Sequence, residues 1–567
     1  MINRNRTLST LFFISLAFVA VAARLFYLQV WHHEELQSQV QRIIYRDRPE
    51  TPWRGMICDN AGRVLAMSVK TYSLFIDPQC VKNLSEIENK LAQVHIPLKR
   101  SLIAAKKDSS YVPIAQGIDL ATMKKIKSWK LPGVGFTGEY HRQYPENTMA
   151  CHVLGMVGKE SNGLEGIELF ANSYLTGEKI KNLRCRDGRG REISEKLLDP
   201  DDLRGADVYL TLDRNLQFMA EQEIDRAWRE SKSKKALIII QDPSTGEILA
   251  LASRPAFNPQ NRNGAWNNSR NPAISDILEP GSTFKIITAA AALEEKVVSR
   301  KEVVWCEEGK YSVFGHTIKD HEPKGLLSFD EIMQYSSNIG VAKISQRLGK
   351  EKLYHYVRQF GFHAPTGIDL PGEAKGLLKL PTEWSGLSLP TISFGQEIGV
   401  TPIQMINAYS AIANGGELLE PRIIKEVRNP SNEVVFTSDR RVIRRAVSQA
   451  VAAQLRDMLI GVVEKGTGQM AKVPNYSVGG KTGTAQKRDN VTKRYSSSAY
   501  VASFCGIIPA NDPKLTIMVL LDEPKGDYWA SSLAAPVFSR VAARAVGHLR
   551  IAPDHTPICV ALNKKSK

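Results

Sequence analysis

Between Leu8 and Trp31 the chain is broken only by Ser9, Thr10, Ser15, Arg24 and Gln29, and no acid precedes Glu34. At ~1.5 Å per residue, a helix of this length spans a ~30 Å hydrocarbon layer. No other stretch constrains the fold as much, because a segment placed in lipid fixes the side of the membrane on which everything after it folds. Arg4 and Arg6 keep the N-terminal tip cytoplasmic, so the body is expected outside. The competing reading is a cleaved signal peptide: the uninterrupted core 11–23 is short, and Ala20-Val21-Ala22 suits an A-x-A cleavage site. Arg24 weakens a span unless its head reaches the outer face. Both readings export the body.

The chain has 567 residues, enough for roughly two to four domains. Its 43% hydrophobic and 24% charged residues are ordinary for a globular protein with proper cores. The net charge of +16 is spread along the chain, the densest runs being short. Nucleic acid binding is therefore not expected; attraction to an anionic membrane or envelope accounts for the charge. Seven cysteines, at 58, 80, 151, 185, 306, 505 and 559, are far apart and include no C-x-x-C. That spacing builds no zinc site, redox motif or disulfide framework, and most are expected to be small buried hydrophobes.

Residues 32–206 are mixed. Tyr72-Ser73-Leu74-Phe75-Ile76 reads as a strand ended by Asp77-Pro78, with helical patterns over 84–94 and 120–129 and glycine clusters after Gly155. No nucleophile and base stand together there, so this part reads as a scaffold. A boundary falls near Ala206, before a strand at Leu210-Thr211-Leu212-Asp213 and a helix running through Trp228. Residues 236–240 and 247–251, around Asp242-Pro243-Ser244-Thr245-Gly246, predict a hairpin. Strands over 500–508 and 515–521 and a helix over 536–549 follow much later. The pattern implies one sheet assembled from distant segments, with helices packed on it.

Chemistry concentrates at Glu279-Pro280-Gly281-Ser282-Thr283-Phe284-Lys285, which turns into a run of helix formers including Ala289-Ala290-Ala291-Ala292. Ser282 falls at the helix start and Lys285 one turn on. A serine becomes a nucleophile when a base takes its proton, and a lysine can be that base if burial or another cation lowers its pKa. The helix start also offers free N–H groups to an oxyanion. Alone, S-x-x-K more often marks an N-capped core helix. Its partners change that. Ser336-Ser337-Asn338 adds a hydroxyl and a carboxamide, and Gly479-Gly480-Lys481-Thr482-Gly483-Thr484 adds a second lysine and two hydroxyls. The glycines of this stretch, at 479, 480 and 483, are expected to let a ligand backbone lie close to a strand. S-x-x-K, S-x-N and K-T-G in this order form the signature of β-lactamases and penicillin-binding proteins.

On these residues the chain resembles a class B penicillin-binding protein, a monofunctional peptidoglycan D,D-transpeptidase, and most of all the cell-division and sporulation (FtsI-like) branch. The likeness runs nearly end to end. Arg54-Gly55-Met56-Ile57-Cys58-Asp59, Tyr144-Pro145 and Gly163-Leu164-Glu165-Gly166-Ile167-Glu168 are similar to the family's pedestal motifs, and Ser253-Arg254-Pro255 and Gly399-Val400-Thr401-Pro402 to stretches of its transpeptidase domain. The resemblance implies an α+β fold: a cytoplasmic tip and uncleaved anchor over 1–31, a mixed pedestal (dimerisation-type) domain over 32–206, a β-lactamase-like transpeptidase domain over 207–552 built as an antiparallel sheet packed with helices, and a basic tail over 553–567. It implies Ser282 as nucleophile, Lys285 as base held neutral by Lys481⁺, Ser336 as proton relay, and Asn338 holding the substrate amide and Lys285. Lys481, Thr482, Gly483 and Thr484 would face the substrate carboxylate, with the N–H groups of Ser282 and Thr484 as oxyanion hole.

No metal or organic cofactor is implied. The implied partners are stem peptides ending in D-Ala-D-Ala, β-lactams, the membrane, a SEDS-type (FtsW-like) glycosyltransferase and other division proteins. The implied location is the bacterial cytoplasmic membrane, with the catalytic domain periplasmic. An elongation-type transpeptidase, a D,D-carboxypeptidase and a β-lactam-binding sensor or scaffold share these features. A class A β-lactamase lacks support because no Glu-x-x-Leu-Asn occurs, and a Ser-His-Asp hydrolase because no G-x-S-x-G occurs.

Overall fold

The computed structural model describes residues 4–32, 45–49, 53–177, 181–186, 192–195, 204–261, 268–488 and 494–555, which gather into two units. One comprises residues 1–53 and 176–205. It holds helix α1 (Arg4–Phe26), a π-helical turn over Tyr27–Trp31, and a small antiparallel sheet of Tyr45–Pro49, Lys181–Arg186 and Glu192–Glu195. Every side chain from Leu8 to Tyr27 is exposed, and Leu8–Trp31 is long and apolar enough to cross a membrane. The Arg24 guanidinium lies 5.3 Å from the centre of the Tyr27 ring, and the Tyr27 hydroxyl meets His32 Nε2 at 2.6 Å. Polar groups thus collect at the C-terminal end of the apolar run, where snorkelling is feasible. The side chains of Arg4 and Arg6 and the basic residues after 555 lie outside the described residues.

The other unit is residues 54–175 and 206–567. Strands β1 (Ile57–Cys58), β2 (Val64–Ile76), β3 (Val112–Ile118) and β4 (Val134–Gln143) enclose helices over Leu84–Ala92 and Leu120–Ser128, close to where the sequence places them. Asn83 and Asp119 cap those helices by accepting from the N–H groups of Glu86 and Thr122. Strand β5 (Asp207–Leu210) is followed by helix α2 (Arg214–Ser231) and the hairpin of β6 (Lys235–Gln241) and β7 (Ile248–Arg254). Next come α3 (Lys285–Glu294), α4 (Asn338–Leu348), β8 (Ile424–Arg428), β9 (Val434–Thr437), α5 (Gln449–Lys465), β10 (Gly479–Arg488), β11 (Tyr495–Ile508), β12 (Leu515–Asp522) and α6 (Ala530–His548). Helix α6 starts ahead of Pro536, where the sequence pattern begins it. Proline in a second turn is tolerated here because buried Ala534, Ala535, Val537 and Phe538 pin that turn to the core.

Two sheets organise this unit. In the first, of order β9-β8-β5-β1-β2-β3 with β4 also paired to β2, strand β5 lies parallel to β1 and antiparallel to β8. This is why the chain before and after Ala206 folds as one body. The second is antiparallel, of order β7-β6-β12-β11-β10, and unites strands from distant parts of the sequence as the pattern implies. Strands β6, β7 and β12 are apolar almost throughout because both faces are covered. Ile238, Ile240, Phe504 and Val519 pack with α2 and α6, while Leu237, Ile239, Leu251 and Leu520 join the core around α3.

Three of the pedestal motifs meet in one buried charge network. Glu168, fully buried, accepts from Arg54 Nε at 2.9 Å, from Arg142 Nε at 2.6 Å and from the Tyr144 hydroxyl at 3.3 Å. Arg54 also donates to the Asn172 side chain at 2.7 Å. Charges are kept in such a place only when paired and hydrogen-bonded, so Arg54, Arg142, Tyr144 and Glu168 depend on one another.

Candidate active site

The turn that carries Ser282 is held from below. Gly281 N donates to the Gly395 carbonyl at 3.0 Å, and Leu278 and Val400 exchange hydrogen bonds at 3.0 and 2.8 Å. Residues Gly281–Phe284 form a 3₁₀ turn and the α-helix proper begins at Lys285. Positions i and i+3 eclipse in a 3₁₀ turn, so Lys285 stands over Ser282 as the spacing predicts. From Lys285 to Leu293 every residue of α3 is buried, whereas Ser282 is half-buried and its hydroxyl makes no hydrogen bond among the described residues.

Strand β10, an edge of its sheet, lies against this turn, and two glycines set the approach. A Cβ on Gly281, whose φ is +57°, would come within 2.9 Å of Ala485 Cβ, and one on Gly483 within 2.8 Å of Thr283 Cγ2 and 3.0 Å of the Pro280 carbonyl. Gly479 and Gly480, expected to clear room for a ligand, serve the interior instead. A Cβ on Gly480 would strike the Phe504 ring at 2.4 Å, and one on Gly479 would crowd Leu459 on α5.

The third wall is the turn before α4. Ser336 has a left-handed backbone, φ +60°, and its carbonyl and its Oγ (3.1 Å) both accept from Lys285 Nζ. Asn338 does not reach Lys285. Among the described residues no hydrogen bond joins them, and Asn338 Nδ2 donates to the Lys319 carbonyl at 2.9 Å. Lys481 is fully buried, with Nζ 3.3 Å from the Thr482 carbonyl. The Thr482 hydroxyl meets that of Thr467 at 2.8 Å, and the Thr484 hydroxyl accepts from the first N–H of α6, on Ala530, at 3.1 Å.

Burial pushes Lys285 down to about 7 against the opposing pull of the Asp320 carboxylate. Burial also holds Lys481 well below the usual lysine range, and repulsion from Lys285 adds to it. The sequence argument made Lys481⁺ the cause of a neutral Lys285; in the structure desolvation leads, and the like-charge effect falls on Lys481. The result is an amine available as a base near neutral pH, one turn from a free hydroxyl. Sequence reasoning missed Asp320, Thr467 and Ala530. None belongs to a catalytic spacing, and only the fold brings them to the site.

A half-buried serine, a buried lysine poised near neutrality and a second buried lysine on a sheet edge lie together, the set of groups that serine acyl transfer calls for. The chain matches the penicillin binding protein transpeptidase domain over residues 236–543 and the penicillin-binding protein dimerisation domain over residues 49–210. The chain belongs to the penicillin-binding protein family, with the class B pairing of these two domains. It is 35% identical to stage V sporulation protein D of Bacillus subtilis (strain 168), over 98% of this chain and 87% of that protein. It is 30% identical to peptidoglycan D,D-transpeptidase FtsI of Escherichia coli (strain K12), over 95% of this chain and 91% of that one. The crystal structure of penicillin binding protein 3 from Mycobacterium tuberculosis complexed with aztreonam superposes with a TM-score of 0.69 at 28% identity, covering 89% of this chain and 99% of that one.

Proposed function

We propose that the chain is a membrane-anchored serine D,D-transpeptidase that cross-links peptidoglycan stem peptides, in septal wall synthesis, and is acylated by β-lactams. The observation that carries this reading is Lys285, fully buried next to Ser282 and hydrogen-bonded to Ser336. In the proposed cycle Lys285, neutral, takes the Ser282 proton as Oγ attacks the penultimate D-Ala carbonyl of a stem peptide. The N–H groups of Ser282 and Thr484 stabilise the oxyanion, a contribution of ~3 kcal/mol per donor. The C–N bond breaks, Ser336 passes the proton from Lys285 to the leaving amine, and D-Ala departs from a serine ester. An acceptor amine from a neighbouring stem then attacks the ester, loses a proton back along the same path, and frees Ser282. The substrate carboxylate faces Lys481, Thr482, Gly483 and Thr484, where its charge favours the ammonium form of Lys481 that burial alone disfavours. Asn338, fixed through Nδ2 by Lys319, keeps its Oδ1 and second N–H for the substrate amide.

The relatives named for sporulation and for FtsI support the septal assignment, with elongation as the alternative role. Residues 1–31 act as the anchor, 32–206 as the pedestal and 207–552 as the transpeptidase, the last two on the outer face of a bacterial cytoplasmic membrane. Incubating a D-Ala-D-Ala donor peptide with and without an acceptor amine tests the reaction. Cross-linked product should match D-Ala release when acceptor is present. Release to water alone identifies a D,D-carboxypeptidase, and no release identifies a β-lactam-binding sensor. A partner that polymerises glycan, of the SEDS (FtsW-like) type, completes the reading. It is expected to cross-link to α1 or the pedestal in native membranes, and its absence from such adducts removes it.

A further inference from the structure

Asp320 follows the hairpin of Lys310–Val313 and His316–Lys319, in a stretch no catalytic motif includes. Its carboxylate accepts from Ser337 Oγ at 2.5 Å, from Asn338 N at 2.6 Å and from Ile339 N at 3.1 Å. Ser337 Oγ in turn accepts from Gly340 N at 2.9 Å. The first three amides of α4, which a helix leaves without intrahelical partners, are therefore all satisfied, and a negative charge sits at the positive end of the helix. The residue just before this cap is Ser336. Its left-handed backbone is one that a non-glycine residue keeps only where its surroundings fix it, and it is this conformation that turns both Ser336 oxygens toward Lys285. The Lys319 carbonyl meanwhile fixes the Asn338 amide. One dipeptide, Lys319-Asp320, thus holds the Ser337 and Asn338 side chains from behind, on the residues that follow Ser336.

We propose that Asp320 is a positioning residue of the catalytic centre, locking the S-x-N turn so that Ser336 presents two oxygens to Lys285. The proposal rests on the serine mechanism proposed for this chain. The charges around Asp320 agree with it. From α3 it is faced by Lys285, with Lys481 of β10 buried close by. From α4, Lys343 is engaged by Glu307 at 2.5 Å. Burial raises the pKa of the Cys306 thiol, and on its own segment His321 lies tilted against Trp529, ring centres 4.3 Å apart. Asp320 is therefore the carboxylate that acts on Lys285.

The test uses the full chain in detergent and measures the rate of acylation by a fluorescent penicillin as a function of pH, with the thermal midpoint in parallel. Asp320→Asn keeps the shape and can still accept from the two backbone amides, but carries no charge. Acylation should fall by roughly 10- to 100-fold, the range for hydrogen bonds to charged groups. The rising limb of its pH profile should move to lower pH, because the anion that favours protonated Lys285 is gone. Asp320→Glu should regain part of the rate. A capping role lowers the thermal midpoint and a charge effect moves the limb, but both leave the plateau rate above the limb intact, so a full plateau rate in folded Asp320→Asn overturns the proposal. Ser282→Ala run alongside separates the two readings: if it still labels, the serine mechanism has failed and not merely the part given to Asp320.

Discussion

Replacing Ser282 by alanine leaves a folded protein that a fluorescent penicillin no longer labels covalently. The two halves of this result have separate causes. Loss of labelling follows because no other hydroxyl stands under Lys285 on the 3₁₀ turn; the Ser336 hydroxyl already accepts from Lys285 Nζ. Retention of the fold follows because Ser282 is half-buried and its hydroxyl has no hydrogen-bond partner among the described residues, so removing it leaves nothing unsatisfied. Changes of this kind usually stay within about 0.5 kcal/mol. A stable labelled adduct on Ser282→Ala, located by peptide mass mapping, would move the nucleophile elsewhere.

Lys285→Met is expected to cost nearly as much activity for a different reason. General base catalysis contributes roughly 10²- to 10⁴-fold, and acylation should fall by that order. In the unsubstituted protein the acylation rate should rise as pH passes about 7, where Lys285 gives up its proton; in the methionine variant that limb should vanish. Stability moves the other way. An unfolded lysine keeps its proton to ~10.4, so between about 7 and that value the unfolded chain binds more protons than the folded one. Lys285 therefore makes the fold less stable at neutral pH and releases that cost as pH rises through this window. Methionine, similar in length and uncharged, removes the cost, and its thermal midpoint at neutral pH should not fall. A variant that acylates with the original rate and pH profile would assign the base to another group.

The elements legible in the sequence were those set by local pattern. The α2 helix and the β6–β7 hairpin follow from hydrophobic period and turn chemistry, and the three motifs place Ser282, Lys285, Ser336 and Lys481 in one cleft. Long-range partners were not legible. Asp320 reaches the N-terminus of α4 from a separate hairpin, and Thr484 meets the first amide of α6; neither contact leaves a period or a spacing in the chain. The roles of Gly479 and Gly480 were misread because a glycine that admits a ligand and one that admits Phe504 look alike in a sequence. The cause assigned to Lys285 was misplaced for a related reason: a sequence shows a second cation but not how dry a site is.

The strand bearing Lys481 closes one side of its sheet and has no neighbouring strand beyond it among the described residues. Most proteins blunt such a margin with proline or with exposed charges so that foreign strands find no template. Here Gly479 to Ala485 holds no proline, and its one charged side chain is a buried lysine. A margin left open in this way offers main-chain pairing to any extended peptide, whatever its side chains. Selectivity must then come from the reacting end of the guest, its carboxylate and scissile bond, while the rest of the peptide is free to vary. An inhibitor resembling only that end can therefore fill the site, and a change of side chains elsewhere on the peptide would do little to exclude it.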